Sequence, residues 1–279
     1  MRGLEVKVLE QLKEQFLQAG QVMVLTGAGC STRSGIPAYR DKRGHWMRSD
    51  PIQHQDFVQQ HSARQRYWAR SLVGWRYVCD AEVNQSHLAL ALLEAQGRSN
   101  VLVTQNVDGL HSLAGSEAVI DLHGRLDRVL CLDCKQVSRR ADLQQTLVQA
   151  NPELARRIAA VAPDGDAQVD DFDIDSVVVP VCERCGGMLK PDVVFFGDNV
   201  PRDRVLEATE KLNQAAALLV VGSSLMVYSG YRFCRMAVEM GKPIWIINDG
   251  MTRADDLASL KIEGDCAETL SALVGLSKE

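Results

Sequence analysis

The chain has 279 residues, 46% hydrophobic and 24% charged, the balance of an ordinary globular protein rather than a disordered or fibrous one. Its 31 Lys and Arg against 36 Asp and Glu leave a formal charge of −5, so no general basic field points to nucleic acid. No apolar run reaches the roughly 18 residues of a membrane span. The amphipathic start MRGLEVKVLEQLKEQF also lacks the apolar stretch and cleavage site of a secretory signal. A monomeric cytoplasmic protein with no membrane or nucleic-acid partner is expected, or a mitochondrial-matrix protein if a leader was removed.

In chain order, residues 4–18 place Leu4, Val8, Leu9, Leu12 and Phe16 at helical spacing. QVMVLTGAG (21–29) reads as a buried strand running into a glycine turn. Short apolar runs come next at 101–104, 193–196, 217–224 and 243–248, separated by helix-like stretches that include 84–96, 202–215, 229–240 and 265–275. β-branched runs alternating with helices predict an α/β fold, a Rossmann-like, mostly parallel sheet with helices on both faces. From Arg128 to Leu189 the alternation breaks, and PDGD (163–166) and DDFDID (170–175) read as turns and an acidic, solvated segment. The chain is therefore expected to form one catalytic-size domain, Rossmann-like over about 1–127 and 190–279, with a small module inserted at about 128–189.

Four of the eight cysteines form two pairs inside that module, Cys131-Leu-Asp-Cys134 and Cys182-Glu-Arg-Cys185. Two such knuckles gather four thiolates around one Zn²⁺, and with every position taken by sulfur no site is left for water, so the metal is structural. Gly186-Gly187 supplies the tight turn after the second pair. Two disulfides, a redox Cys-x-x-Cys or a zinc-ribbon DNA binder are the alternatives, the last opposed by the acidic intervening segment. Cys30, Cys79, Cys234 and Cys266 are expected to be small core residues.

The turn Thr26-Gly27-Ala28-Gly29-Cys30-Ser31-Thr32 lets backbone N–H groups approach a diphosphate, with the dipole of a following helix favouring its charge. Gly35 falls six residues after Gly29, so the spacing misses the dinucleotide fingerprint, and no Gly-Lys-Ser/Thr forms a triphosphate loop. The turn gains weight from SGIPAYR (34–40), Thr104-Gln105-Asn106-Val107-Asp108, His123, Gly222-Ser223-Ser224-Leu225 and Asn248, several of them closing apolar strands. Ligands bind at the C-terminal ends of strands in open α/β sheets, so these residues together describe a dinucleotide cleft.

With these motifs in order over about 21–270, the chain resembles the sirtuins, NAD-dependent protein lysine deacylases. PIQHQDF (51–57), RQRYWAR (64–70), APDGD (162–166), VVGSSLMVYSGYRF (220–233) and TRADDLASLK (252–261) are similar to the class II branch, which contains the fourth sirtuin of animal mitochondria. The resemblance implies NAD and an acyl-lysine protein or peptide meeting between a Rossmann-like part and a zinc module. It implies that Gly27, Ala28, Gly29 and Thr32 hold the diphosphate and that Tyr39 and Arg40 sit on a cofactor loop. Gln105, Asn106, Val107 and Asp108 face the nicotinamide ribose and carboxamide, with Asn106 and Asp108 also catalytic. Gly222, Ser223, Ser224, Asn248, Asp249, Gly250 and Cys266 line the adenosine half, and Val194, Phe195, Phe196 and Gly197 pair with the peptide backbone by β-augmentation.

His123 is implied as the general base, a role that suits a side chain titrating near neutrality; His45, His54, His61, His87 and His111 are the other histidines. Tyr67 and Arg70, at i and i+3 on one helix face, match a pair that in desuccinylating sirtuins recognises an acidic acyl group. They equally suit a packed Tyr and an ion-paired Arg. Ala38 departs from the family's usual Asp in GIP-D-(Phe/Tyr)-R. The alternatives to a deacylase are a protein mono-ADP-ribosyltransferase and a NAD-binding protein impaired at Ala38.

Overall fold

A computed structural model describes residues 3–47, 51–157 and 173–275, with side chains from residue 7 onward. PDGD and the first half of DDFDID, residues 170–172, therefore lie outside the described residues. Nine strands occur among the described residues: β1 Val22–Thr26, β2 Ser99–Thr104, β3 Val119–Asp121, β4 Gly124–Cys131, β5 Val137–Arg139, β6 Leu189–Val193, β7 Ala217–Val221, β8 Ile244–Asn248 and β9 Leu260–Glu263. The helices are α1 Gly3–Gln18, α2 His54–Gln59, α3 His61–Cys79, α4 Gln85–Ala95, α5 Leu110–Leu113, α6 Arg140–Ala150, α7 Pro152–Ala155, α8 Arg202–Gln214, α9 Tyr228–Glu239 and α10 Cys266–Val274.

Six strands form one sheet in the order β3-β2-β1-β7-β8-β9, and every neighbouring pair is parallel. β1, β7 and β8 are buried at every residue, as strands covered on both faces must be, which is why they read as unbroken apolar runs. Successive side chains alternate between two cores. Val22, Val24, Leu219, Val221, Trp245 and Ile247 meet Leu9, Leu12 and Phe16 of α1, Leu90 and Leu93 of α4 and Leu270 of α10. Met23, Leu25, Leu218, Val220, Ile244 and Ile246 meet Leu212 of α8 and Phe233 and Ala237 of α9. The order reverses between β1 and its neighbours β2 and β7, which places the crevice of a doubly wound sheet at their carboxyl ends.

The smaller sheet, β5-β4-β6, is antiparallel. Its core joins Phe57, Tyr67, Trp68 and Leu72 of α2 and α3 to Val129, Leu147, Leu154, Leu189 and Phe195. Phe57, Tyr67 and Phe195 meet edge to face with centroids 5.2–5.5 Å apart. The run at 193–196 is thus not a strand of the parallel sheet. Its first residue ends β6 against β4, and Val194 N then donates to the His123 carbonyl at 2.8 Å. Periodicity cannot tell which sheet a short apolar run joins. Cys30, Cys234 and Cys266 are buried as expected. Cys79 is exposed, because it is the last residue of α3, beyond the final buried position Val78.

Candidate functional site

The crevice at the switch point is a cleft of about 720 Å³ between the two sheets. Its walls include Gly27, Ala28, Gly29, Thr32, Ala38, Tyr39, Arg40, Gln105, Asn106, Val107, His123, Gly222, Ser223, Ser224, Asn248, Asp249 and Cys266. Tyr67 and Val194 to Gly197 line it too, whereas Asp108, Gly250 and Arg70 do not.

β1 delivers the glycine turn against the end of β7. Gly27 N donates to Val221 O at 3.1 Å and Gly29 N to Gly222 O at 2.8 Å. A Cβ on Gly29 would lie 2.8 Å from Gly222 Cα, and one on Gly222, at φ 60°, would lie 2.6 Å from Cys30 N. Glycine is therefore required on both sides of this backbone approach. The α-helix expected directly after the turn is absent. Two 3-10 turns, Ala28–Cys30 and Thr32–Ser34, end at Gly35 in the left-handed region, and the next α-helix among the described residues starts only at His54. Short 3-10 turns carry little axial dipole, so any anion here rests on individual N–H groups.

Behind the turn lies a polar cluster. Ser31 Oγ donates to Asp108 Oδ2 at 2.6 Å and accepts from Asn106 Nδ2 at 3.0 Å. Asn106 Nδ2 also donates to Gly27 O, and Leu110 N to Asp108 Oδ1, so both side chains at the end of β2 are fixed. Asp108 thus stands one layer behind the wall, held by Ser31, a residue the motif contains but whose role spacing alone does not reveal. His87 and His111 are fully buried beside it, with ring centroids 4.9 Å apart. Burial pushes both below the ordinary imidazole range, and neither reaches the cleft.

His123 sits between β3 and β4, where the chain passes from the large sheet to the small one. Its ring is half-buried in the wall, with Nδ1 2.9 Å from Gln105 O and Nε2 2.7 Å from Ser229 Oγ. Burial, against the pull of the Gln105 carbonyl and helped by Arg204 and Arg232, lowers its pKa to about 4, below the near-neutral titration expected from the sequence, so the ring is neutral at pH 7. Gln105 is itself clamped, its Nε2 donating to Thr26 O at 3.1 Å and Ser223 Oγ at 2.8 Å.

The loop carrying Ala38, Tyr39 and Arg40 closes one side. Arg40 lies 4.1 Å over the Trp46 ring and donates to Gly44 O, and Trp46 packs on Phe196 with centroids 5.5 Å apart. Lys42 pairs with Asp249 at 2.7 Å, which ties the loop to the end of β8. Asn248 Nδ2 donates to Gly250 O, placing Gly250 behind the wall. On the other side, Phe196 bridges to Gln53 and accepts from His54 N at 2.8 Å, so that edge of 194–197 is partly paired already. Leu225, Met226, Val227, Tyr228, Ser229 and Arg232 also line the cleft. Leu225 belongs to the strand-end run Gly222–Leu225 and holds a left-handed φ of 57°, uncommon outside glycine, whereas the sequence reading gives the other five no site role.

The four paired cysteines come together away from the cleft. All four Sγ atoms lie within 4.8 Å of one another, with Cys131–Cys185 at 3.6 Å and Cys134–Cys182 at 3.8 Å. A tetrahedron with Zn–S of about 2.3 Å has edges of about 3.8 Å, whereas a disulfide needs about 2.05 Å, so the sulfurs fit one structural zinc ion. The knuckles are shaped by Lys135 in the left-handed region and by Gly186 N donating to Cys182 O.

A model of the Sir2 family matches residues 27–229. A "NAD-dependent protein deacetylase" of Xanthomonas campestris pv. campestris is 56% identical over 261 residues, covering 93% of this chain and 89% of that protein. The bovine "NAD-dependent protein lipoamidase sirtuin-4, mitochondrial" is 48% identical over 96% of this chain and 86% of its own length. A Sir2 crystal structure holding the inhibitor EX-527, 2'-O-acetyl-ADP-ribose and a deacetylated p53 peptide superimposes with a TM-score of 0.76 at 28% identity, covering 96% of this chain and 100% of that one. A cleft at the switch point, a half-buried histidine between two sheets and a four-thiolate cluster thus accompany a match over most of the sequence, and the chain belongs to the Sir2 family.

Proposed function

We propose that this protein is a NAD-dependent protein lysine deacylase, and that His123 is its general base. The observation that carries the reading is the hydrogen bond from Val194 N to His123 O at 2.8 Å, which joins the base to the segment that would pair with a peptide. NAD supplies the electrophilic ribose carbon that the substrate's acyl oxygen attacks, with nicotinamide leaving. His123 would then remove a proton from a ribose hydroxyl, which attacks the acyl carbon and expels the lysine amine, and a water opens the resulting cyclic acyl intermediate to give O-acyl-ADP-ribose. The glycine turn would hold the diphosphate. Ser223, Ser224 and Asn248 would meet the adenosine half, and Asn106, with Asp108 acting from behind it, the nicotinamide.

The wall formed by Tyr67, Phe195 and Ile52 is apolar and would receive the acyl chain. An acidic acyl group remains the proposal for Tyr67 and Arg70, although only Tyr67 lines the cleft in this conformation. The likeness to sirtuin-4 supports placement near the class II branch.

The test is a mass-resolved assay of NAD with acetyl-, succinyl-, methylglutaryl- and lipoyl-lysine peptides. Nicotinamide and an O-acyl-ADP-ribose are expected, with the acyl transfer reduced about 10²- to 10⁴-fold in His123→Ala. The best peptide names the acyl class. ADP-ribose left on protein would instead identify a transferase. Bound NAD without any product, reversed by Ala38→Asp, would trace the defect to Ala38.

A further inference from the structure

The hydrogen bonds of His123 define more than its own position. A carbonyl oxygen can only accept, so the bond to Gln105 O puts the proton on Nδ1. The half-buried ring is neutral at pH 7, so Nε2 carries a lone pair, and the hydroxyl of Ser229 donates to it at 2.7 Å. Ser229 is the second residue of α9 and is itself buried, 9% exposed, at the cleft wall.

The next residue fixes this approach independently. A Cβ on Gly230 would collide with the side-chain amide of Gln105. Glycine at 230 therefore lets the start of α9 lie against the residue whose carbonyl holds Nδ1. Gln105, anchored on Thr26 and Ser223, and Ser229, carried by α9, clamp the two nitrogens of one ring from two elements.

We infer that Ser229 is a positioning residue for acyl transfer: its hydroxyl fixes His123 in the Nδ1–H tautomer and keeps Nε2 at the cleft. The inference rests on the reading of His123 as base. The hydroxyl occupies the lone pair until a ribose hydroxyl replaces it. When that ribose proton has moved to Nε2, Ser229 turns to accept from Nε2–H through its oxygen, and no proton passes to the serine. The clamp acts after nicotinamide has left, because only the later step needs a base.

The experiment compares the parent with Ser229→Ala, Ser229→Thr and His123→Ala in NAD affinity, single-turnover nicotinamide release and O-acyl-ADP-ribose formation. One lost hydrogen bond predicts an acyl-transfer rate about 3- to 10-fold lower in Ser229→Ala, with NAD affinity and nicotinamide release within about two-fold of the parent. Ser229→Thr recovers at least half of the loss. Ring ¹⁵N spectra show the His123 Nε2 resonance moving in Ser229→Ala and not in Ser229→Thr, a change that a merely structural serine would not produce. Parental acyl transfer and an unmoved Nε2 resonance in Ser229→Ala, while His123→Ala is inactive, overturn the inference. Full acyl transfer in His123→Ala removes the base assignment first, and this inference with it.

Discussion

The six-stranded sheet and the three-stranded sheet are held together by different means. In the large one, whole strands are buried and aliphatic side chains fill both faces. In the small one, β5 is exposed at all three residues, and the core rests on an aromatic cluster, four thiolates and a buried guanidinium. That guanidinium, Arg140, is 1% exposed, lies 5.6 Å and 4.9 Å from the Trp68 and Trp75 rings, and donates to Ser71 O and Oγ. A sheet covered by helices generates its own hydrophobic stability. A small sheet lacks the enclosed volume to do so and draws on a metal. The cleft runs along the seam, with the glycine turn on the self-sufficient side and the segment Val194–Gly197 on the other.

The sharpest way to break this contrast is to remove the metal. Structural zinc contributes about 10–16 kcal/mol of apparent binding energy in small zinc-dependent folds, more than any single side chain here. Chelation, or Cys134→Ser, is expected to strip amide protection from β4, β5 and β6 while β1 and β7 keep theirs, read by hydrogen exchange. Simultaneous loss in both sheets would show a single cooperative unit instead.

A pair of core truncations comes next. Leu219 in β7 and Trp68 in α3 are both fully buried. Leu219→Ala is expected to cost about 2–5 kcal/mol and to lower the denaturation midpoint of the whole chain. Trp68→Ala is expected to cost about 3–5 kcal/mol locally, releasing α3 while NAD affinity is kept. Equal loss of NAD affinity in both variants would contradict the division.

The same contrast decides what the sequence discloses. Buried parallel strands are contiguous apolar text, so the runs at 101–104, 217–224 and 243–248 stand out, and the cysteine spacing announces the thiolate cluster. α3 is harder to read: its buried face includes Gln65, Ser71 and Gly74 beside Tyr67 and Trp68, so polarity does not mark the inside. Arg140 is invisible as a core residue because charge normally signals solvent. Within the site, glycines and strand-end polar residues are legible because backbone geometry demands them. Ser229 is not, since its role depends on α9 passing over Gln105, a contact between residues 125 positions apart in sequence that no local pattern encodes.

Protonation supplies the smallest and most specific test. Lys190 in β6 is 5% exposed, with Nζ 4.4 Å from the Phe195 ring centre and bonded to the carbonyls of Val193 and Pro191. Burial lowers its pKa from 10.5 to about 8, against the pull of Asp198 and Asp192 and with a push from Arg204. Between about pH 8 and 10.5 the unfolded chain binds the proton that the folded chain has released, so stability rises with pH across that window. Below about pH 8 both states carry it and the burial cost is present in full. The shift corresponds to at most about 3 kcal/mol. Lys190→Met removes the proton site and keeps the volume, so the variant is expected to be more stable than the parent at pH 7. The parent should close the gap as the pH rises, measured by denaturant unfolding of the small sheet. A gap that stays constant up to pH 10.5 would mean that Lys190 keeps its ordinary pKa, and that this part of the small core is wetter than its packing implies.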